Sequence, residues 1–356
     1  MQKKISANLA ILLANAIFAI GNVVSAICLS GMNPVLFALI REGISGPLLC
    51  AIARCKEGSA APQKAHIWSF LLTGFCLFLN NLCFIVGIKL AGATAAGIWQ
   101  PAQPLFITVI AILWGFETAA VLKFVGIFIA IGGCLFVLLV NVEVDSGNSM
   151  VLGNIVLFSQ AVFCSLMYVS QKPLLVHYTP LTVLGYAYLI ATLMMTITAS
   201  IVNQSDYCLK KLCPDCHDGG WHVPGHAWPG IAYFVLIVSA AAYFLVAWGN
   251  QYVDASVLGI YTVVQPVITV IVSSIVIKLS SAPHWQLKGL GISDLGAIAI
   301  VVGLLIVIYD NWRQTQLRAQ ELLLPTDTHN NIMDDEEDSP ISDKKWICVI
   351  DDTPST

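Results

Sequence analysis

Arg41 and Glu42 stand side by side within an apolar run from Pro34 to Ala53. A helix starting at Pro34 carries them about 10–12 Å into the run at about 1.5 Å per residue. A charge at such depth in a bilayer costs about 2.5–3.5 kcal/mol unless it faces protein or water, so both are functional candidates. Neighbours on a helix point about 100° apart, so the two cannot neutralise each other head-on. Arg41 reads equally as an interior strut bonding backbone carbonyls or as a substrate contact. Glu42 reads as a proton-coupling site or as a fixed partner of another polar group.

Amides form the second chemical signal. Asn8, Asn15 and Asn22 recur every seven residues in the first apolar segment, which aligns them along one stripe. An amide facing lipid stays unsatisfied, so the stripe must face protein or a wet cavity; both helix–helix bonding and ligand contact fit. Gln160, Cys164, Tyr168 and Gln171 form a comparable face in the sixth segment. In the fourth segment, Gln100-Pro101 and Gln103-Pro104 pair side-chain amides with residues that lack an N–H and bend a helix. Tyr261, Thr262, Gln265 and Pro266 repeat the idea in the ninth. Trp99 and Tyr261 add flat apolar faces with polar tips. The two segments are expected to bound a central cavity, against the alternative that the prolines shape packing and the aromatics sit at the membrane interface.

The polar stretch 202–229 holds Cys208, Cys213, Cys216, His217, His222 and His226. Cys213-Pro214-Asp215-Cys216-His217 superficially resembles a zinc motif, but on an outer surface a disulfide among Cys208, Cys213 and Cys216 is the stronger expectation. No metal and no cofactor are expected. Asn203-Gln204-Ser205 is a glycosylation sequon close to the end of a span. The tail carries Asp334-Asp335-Glu336-Glu337-Asp338 and reads as a solvated acidic segment.

These residues must be positioned by membrane helices. The 356 residues are 57% hydrophobic and 11% charged, where soluble domains carry roughly 25% charged residues. Stretches of about 20 apolar residues fall near 5–27, 34–53, 66–87, 92–113, 121–141, 151–171, 180–201, 230–249, 255–277 and 290–309. Lysine and arginine favour the side bearing Lys3, Lys4, Arg54, Lys56, Lys64, Lys123, Lys172, Arg313 and Arg318, which places both termini in the cytoplasm. The halves repeat: Ala93-Thr94 aligned on Ala255-Ser256 sets Gly97 on Gly259, Trp99 on Tyr261 and Gln103-Pro104 on Gln265-Pro266. Five spans per copy invert the second relative to the first, the architecture of secondary transporters with a midplane site. The expected fold is thus an all-α membrane protein of ten transmembrane helices in two inverted five-helix repeats. Residues 1–141 form the first, 142–150 a linker, 151–311 the second, and 312–356 a cytoplasmic disordered tail.

The Asn33-Pro-Val-Leu-Phe-Ala-Leu-Ile-Arg41 opening, the Gly87-Ile-Lys-Leu-Ala-Gly-Ala-Thr-Ala-Ala96 stretch and the two Gln-Pro pairs resemble the EamA-type transporters of the drug/metabolite transporter superfamily, nearest the plant nodulin-like members. The resemblance covers about residues 5–311 and implies a carrier, an exporter or facilitator of amino acids, nucleobases, hormones or other small metabolites. Two departures matter. Gly115-Phe116-Glu117 keeps the family's ending after the fourth helix, whereas Ile277-Lys278-Leu279-Ser280 lacks the acid. No Lys or Arg lies within 255–277 or 290–309, which makes phosphate-bearing substrates a poor fit. The expected partners are a small solute and the lipid bilayer of a plasma membrane or endomembrane, with no nucleic acid and with a homodimer left open. A non-transporting scaffold or receptor is the alternative. A membrane enzyme is disfavoured because no His-Glu-x-x-His, paired aspartates or Gly-x-Ser-x-Gly occurs in the membrane part, and a primary pump because there is no ATP-binding loop.

Overall fold

The computed structural model describes residues 2–57, 61–115, 148–213, 221–253 and 261–279 without interruption, together with isolated positions between 121 and 136, at 258–259 and between 296 and 316. Most of the expected fifth and tenth spans, the start of the ninth, Cys216, His217 and the acidic tail lie outside the described residues. Residues 1–311 make one compact unit and 312–356 a separate one, of which only a few positions are described.

The membrane unit is built from helices. They are α1 (Gln2–Cys28), α2 (Pro34–Glu57), α3 (Ile67–Trp99), α4 (Gln103–Leu113), α5 (Asn148–His177), α6 (Pro180–Asn203), α7 (Asp206–Leu212), α8 (Trp228–Tyr233), α9 (Tyr243–Asn250) and α10 (Val264–Leu279). Six stretches among the described residues are long and apolar enough to cross a membrane: Ile5–Cys28, Pro34–Lys56, Lys64–Ala93, Met150–His177, Pro180–Val202 and Gly225–Asn250. The first alone rises about 36 Å, against about 30 Å of hydrocarbon.

Local chemistry sets the boundaries. Gly31, at φ 67°, ends the turn after α1 in the left-handed region that favours glycine. Asn33 Oδ1 then accepts from the Val35 N–H at 3.0 Å, capping a helix whose first residue is Pro34. Thr179 caps α6 in the same way, accepting from the Thr182 N–H ahead of Pro180.

The expected fourth span, 92–113, is not one regular helix. The backbone breaks at Gly92 (φ 84°, ψ 169°), a conformation only glycine adopts readily, and resumes to Trp99. A 3-10 turn at Gln100–Ala102 follows before α4 starts at Gln103. The opposite segment repeats the device, with a 3-10 turn at Tyr261–Val263 leading into α10. Between α8 and α9, Phe234–Ala242 winds as a π-helix, a form uncommon in helices and concentrated at functional sites.

α3 packs along α5, α2 along α6, and α1 against α10, α9 and the π-helical stretch. Small residues permit the closest approach: a Cβ on Gly153 would meet the Cβ atoms of Ala91 and Leu90 at 2.7 and 2.8 Å and the Ala91 backbone nitrogen at 2.9 Å. The outward faces stay apolar. On α1, Ile5, Leu9 and Leu13 are exposed along one stripe while Asn15 and Asn22 are buried on another. Such a surface is satisfied by lipid rather than water.

Candidate functional site

The broken helices and the π-helix converge on a small chamber of about 40 Å³ inside the membrane unit. Its polar wall consists of Asn22, Arg41, Asn80, Asn81, Gln100, Gln103, Gln160 and Gln265; Phe18, Phe84, Tyr168, Phe234 and Tyr243 add rings. Residues before 116 and residues after 147 both contribute.

Arg41 is fully enclosed. Its Nε donates to Ser239 Oγ at 2.9 Å and its Nη2 reaches Tyr188 OH at 3.5 Å. The guanidinium also lies over the Phe234 ring, 5.0 Å from its centroid. Ser239 and Phe234 both belong to the π-helical stretch, whose wider turn shifts the register of the following residues.

Glu42 points elsewhere, as the angular offset between neighbours requires. It is 0% exposed and sits behind the chamber wall, where Oε1 accepts from Asn81 Nδ2 at 2.9 Å. Its Oε2 is buried with no partner among the described residues. Asn81 therefore stands between the acid and the chamber, with one face on each.

A net of hydrogen bonds ties the two parts of the chain together around this space. Gln160 Nε2 donates to Asn80 Oδ1 at 2.8 Å, and Asn80 Nδ2 to Tyr243 OH at 3.0 Å. Tyr243 OH in turn lies 3.4 Å from Asn81 Oδ1. Asn22 Nδ2 donates to Thr269 Oγ1 at 3.0 Å, and Gln265 Nε2 to Asn15 Oδ1 at 2.6 Å. Gln103 Nε2 donates to Gln100 Oε1. Three acceptors of wall residues, Asn22 Oδ1, Gln160 Oε1 and Gln265 Oε1, are buried without a partner among the described residues. Buried acceptors are paired as a rule, so three unpaired ones around one space set this region apart.

Of the residues singled out from sequence, Asn22, Arg41, Gln100, Gln103, Tyr168 and Gln265 come together on the wall. Asn15 lies one layer behind, holding Gln265. Trp99 turns away: its Nε1 donates to Asn154 Oδ1 at 3.0 Å and its ring meets Phe158. Tyr261 is half-buried and off the wall. Asn80, Asn81 and Tyr243 are wall residues that sequence reasoning missed. Two adjacent asparagines in the middle of an apolar span carried the same signal as Arg41 and Glu42, since each is expensive at that depth. Cys208 is a free thiol and Cys213 is held in a disulfide whose other half lies outside the described residues. Cys213 Sγ also rests 3.4 Å from the Met32 carbonyl oxygen, a contact without a proton to share. Among the described residues, no group of three or more His, Cys, Asp or Glu is placed to hold a metal.

The chain is similar to proteins that share most of its length. The uncharacterized transporter YetK of Bacillus subtilis is 25% identical over 282 residues, 78% of this chain and 82% of the relative. A WAT1-related protein of Arabidopsis thaliana is 22% identical over 336 residues, 89% of each chain. A solved crystal structure superposes with a TM-score of 0.58 at 16% identity, over 86% of this chain and 98% of that one, a likeness of fold alone. The EamA-like transporter family matches twice, at residues 5–139 and 151–309. With both halves of its membrane part matched, the chain belongs to the EamA-like transporter family, as an EamA-type membrane transporter of the drug/metabolite transporter superfamily.

Proposed function

We propose that the chain is a secondary carrier, an exporter or facilitator, that moves small organic metabolites such as amino acids, nucleobases or hormones by alternating access. In this reading ten helices form two inverted five-helix repeats, residues 1–141 and 151–311, in a plasma membrane or endomembrane with both termini cytoplasmic. The single observation that carries it is the polar chamber walled jointly by the two family-matched segments, with three buried acceptors lacking partners among the described residues. A solute site near the midplane, where repeats meet and helices are interrupted, is how such carriers work. The 3-10 turns at Gln100–Ala102 and Tyr261–Val263 are interruptions of that kind.

Glu42 is the proton-coupling candidate of this mechanism. A carboxyl with one oxygen bonded to Asn81 and the other unpartnered has a place for a proton on Oε2, and Asn81 links it to the chamber. Uptake and efflux of a metabolite library in vesicles carrying the purified chain, at two pH values, tests the reading. Glu42→Gln keeps the shape and removes the titration, so it is expected to abolish pH-driven accumulation while sparing exchange. If no solute moves, the transport reading fails; if wild-type transport ignores a proton gradient, only the coupling role of Glu42 is lost.

A further inference from the structure

Arg41 leaves one guanidinium nitrogen unused. Its Nε and Nη2 have the partners named above, while Nη1 has no acceptor among the described residues although Arg41 lines the chamber and is 1% exposed. Among the described residues no aspartate or glutamate is part of the chamber wall, and Glu42 bonds Asn81 from behind it. The remaining titratable groups around Arg41 and the wall are the hydroxyls of Tyr188, Tyr243 and Tyr168 and the thiol of Cys164. The wall therefore presents one cation with a spare donor, and on it three orphan acceptors, Asn22 Oδ1, Gln160 Oε1 and Gln265 Oε1. A neutral solute leaves a buried cation without its strongest available partner, whereas a planar carboxylate matches the guanidinium in charge and shape.

We propose that the chamber selects a small carboxylate-bearing solute that also carries hydrogen-bond donors, its carboxylate on Nη1 of Arg41 and its donors on the orphan amide oxygens. This rests on the transport reading and narrows it: amino acids and donor-bearing organic acids fit, and carboxylate-free nucleobases do not. Arg41 then sets specificity, with Phe234 holding the guanidinium plane and Ser239 and Tyr188 fixing its rotation so that the third nitrogen stays available.

The test compares compounds that share one body. Leucine, phenylalanine and mandelate are each set against their own amide and methyl ester, with uracil as a carboxylate-free solute. Binding is read from thermal stabilisation of the purified full-length chain. At least one acid is expected to bind about tenfold or more tightly than its amide and ester, the margin of a charge-assisted hydrogen bond over a neutral one. Arg41→Gln is expected to shrink that preference to below about threefold. The proposal is overturned if no acid binds, if an amide or ester matches its acid, or if uracil binds as tightly as the best acid. Should Arg41→Gln fail to fold, the wild-type ranking decides by itself. Vesicle transport separates the two failures, since a chain that carries uracil keeps its place as a transporter and loses only this selectivity. A chain that carries nothing loses both.

Discussion

At the scale of single residues, the amides on the wall divide into those that meet the solute and those that hold the others. Gln103 and Gln265 are wall residues with small local roles, so replacing either by alanine removes a hydrogen bond worth about 0.5–1.5 kcal/mol. Apparent affinity for the transported solute is expected to weaken several-fold to about tenfold at matched expression. Unchanged affinity in both variants would remove them from the site. Trp99 makes the opposite case, because its indole N–H is spent on Asn154 away from the chamber. Trp99→Phe should leave solute affinity within about twofold while lowering thermal stability, since Asn154 Oδ1 then loses its donor at a cost of about 1–3 kcal/mol. An affinity loss without a stability loss would return Trp99 to the site. Polar residues at depth were legible in the sequence because the bilayer makes them costly, which singles out Arg41, Gln103 and Gln265. Which way each side chain turns was not legible: an indole and a tyrosine have a polar tip and an apolar body, and both interface and cavity satisfy them. Tyr243 escaped notice for that reason, although Asn80 and Gln160 build their net around its hydroxyl.

At the scale of elements, close helix contact substitutes for the hydrophobic effect, which supplies little between helices already in lipid. α3 and α5 meet where Gly153 faces Leu90 and Ala91, just before the break at Gly92. Moving α5 outward there would carry Gln160 and Tyr168 with it, about two and about four turns farther along the same helix. Gly153→Val places carbon against Ala91 backbone, so it is expected to cost about 1–3 kcal/mol by overpacking. In detergent it should lower the midpoint of thermal unfolding, whereas Gly225→Ala, where a Cβ meets nothing within 4 Å, should not. Equal midpoints for the two variants would mean that the α3–α5 contact is not close. Prolines announced irregularity in the Gln100–Gln103 segment, but not its form: Gly92 reads as an ordinary small residue until its φ of 84° is seen. The π-helix at Phe234–Ala242 had no sequence signal at all, since FVLIVSAAA is compatible with any buried helix.

At the scale of the whole molecule, the number of spans decides which surface of the membrane each connection reaches. The proposed even number of spans puts both termini on one side, and the lysine and arginine bias assigns that side to the cytoplasm in the topology we propose. In that topology the long connection between the segments ending at Asn203 and starting at Trp228 lies on the opposite, oxidising side, where a disulfide persists. Cys213 is disulfide-bonded while Cys208 is a free thiol, and Cys216, three residues after Cys213, is the partner we propose. The two statements can be tested in one preparation of intact cells. Epitope tags at both ends are expected to be reached by antibody only after permeabilisation, and a tag near Gly219 only from the outer or lumenal face. Under denaturation, a thiol-reactive mass tag should add two more copies after reduction than before, and Cys213→Ser with Cys216→Ser should remove that difference. Opposite accessibility of the two termini would rule out an even number of spans and with it the inverted pairing of the halves. Equal labelling before and after reduction would rule out the disulfide while leaving the topology standing, because the charge bias and the bridge are independent consequences of the same orientation.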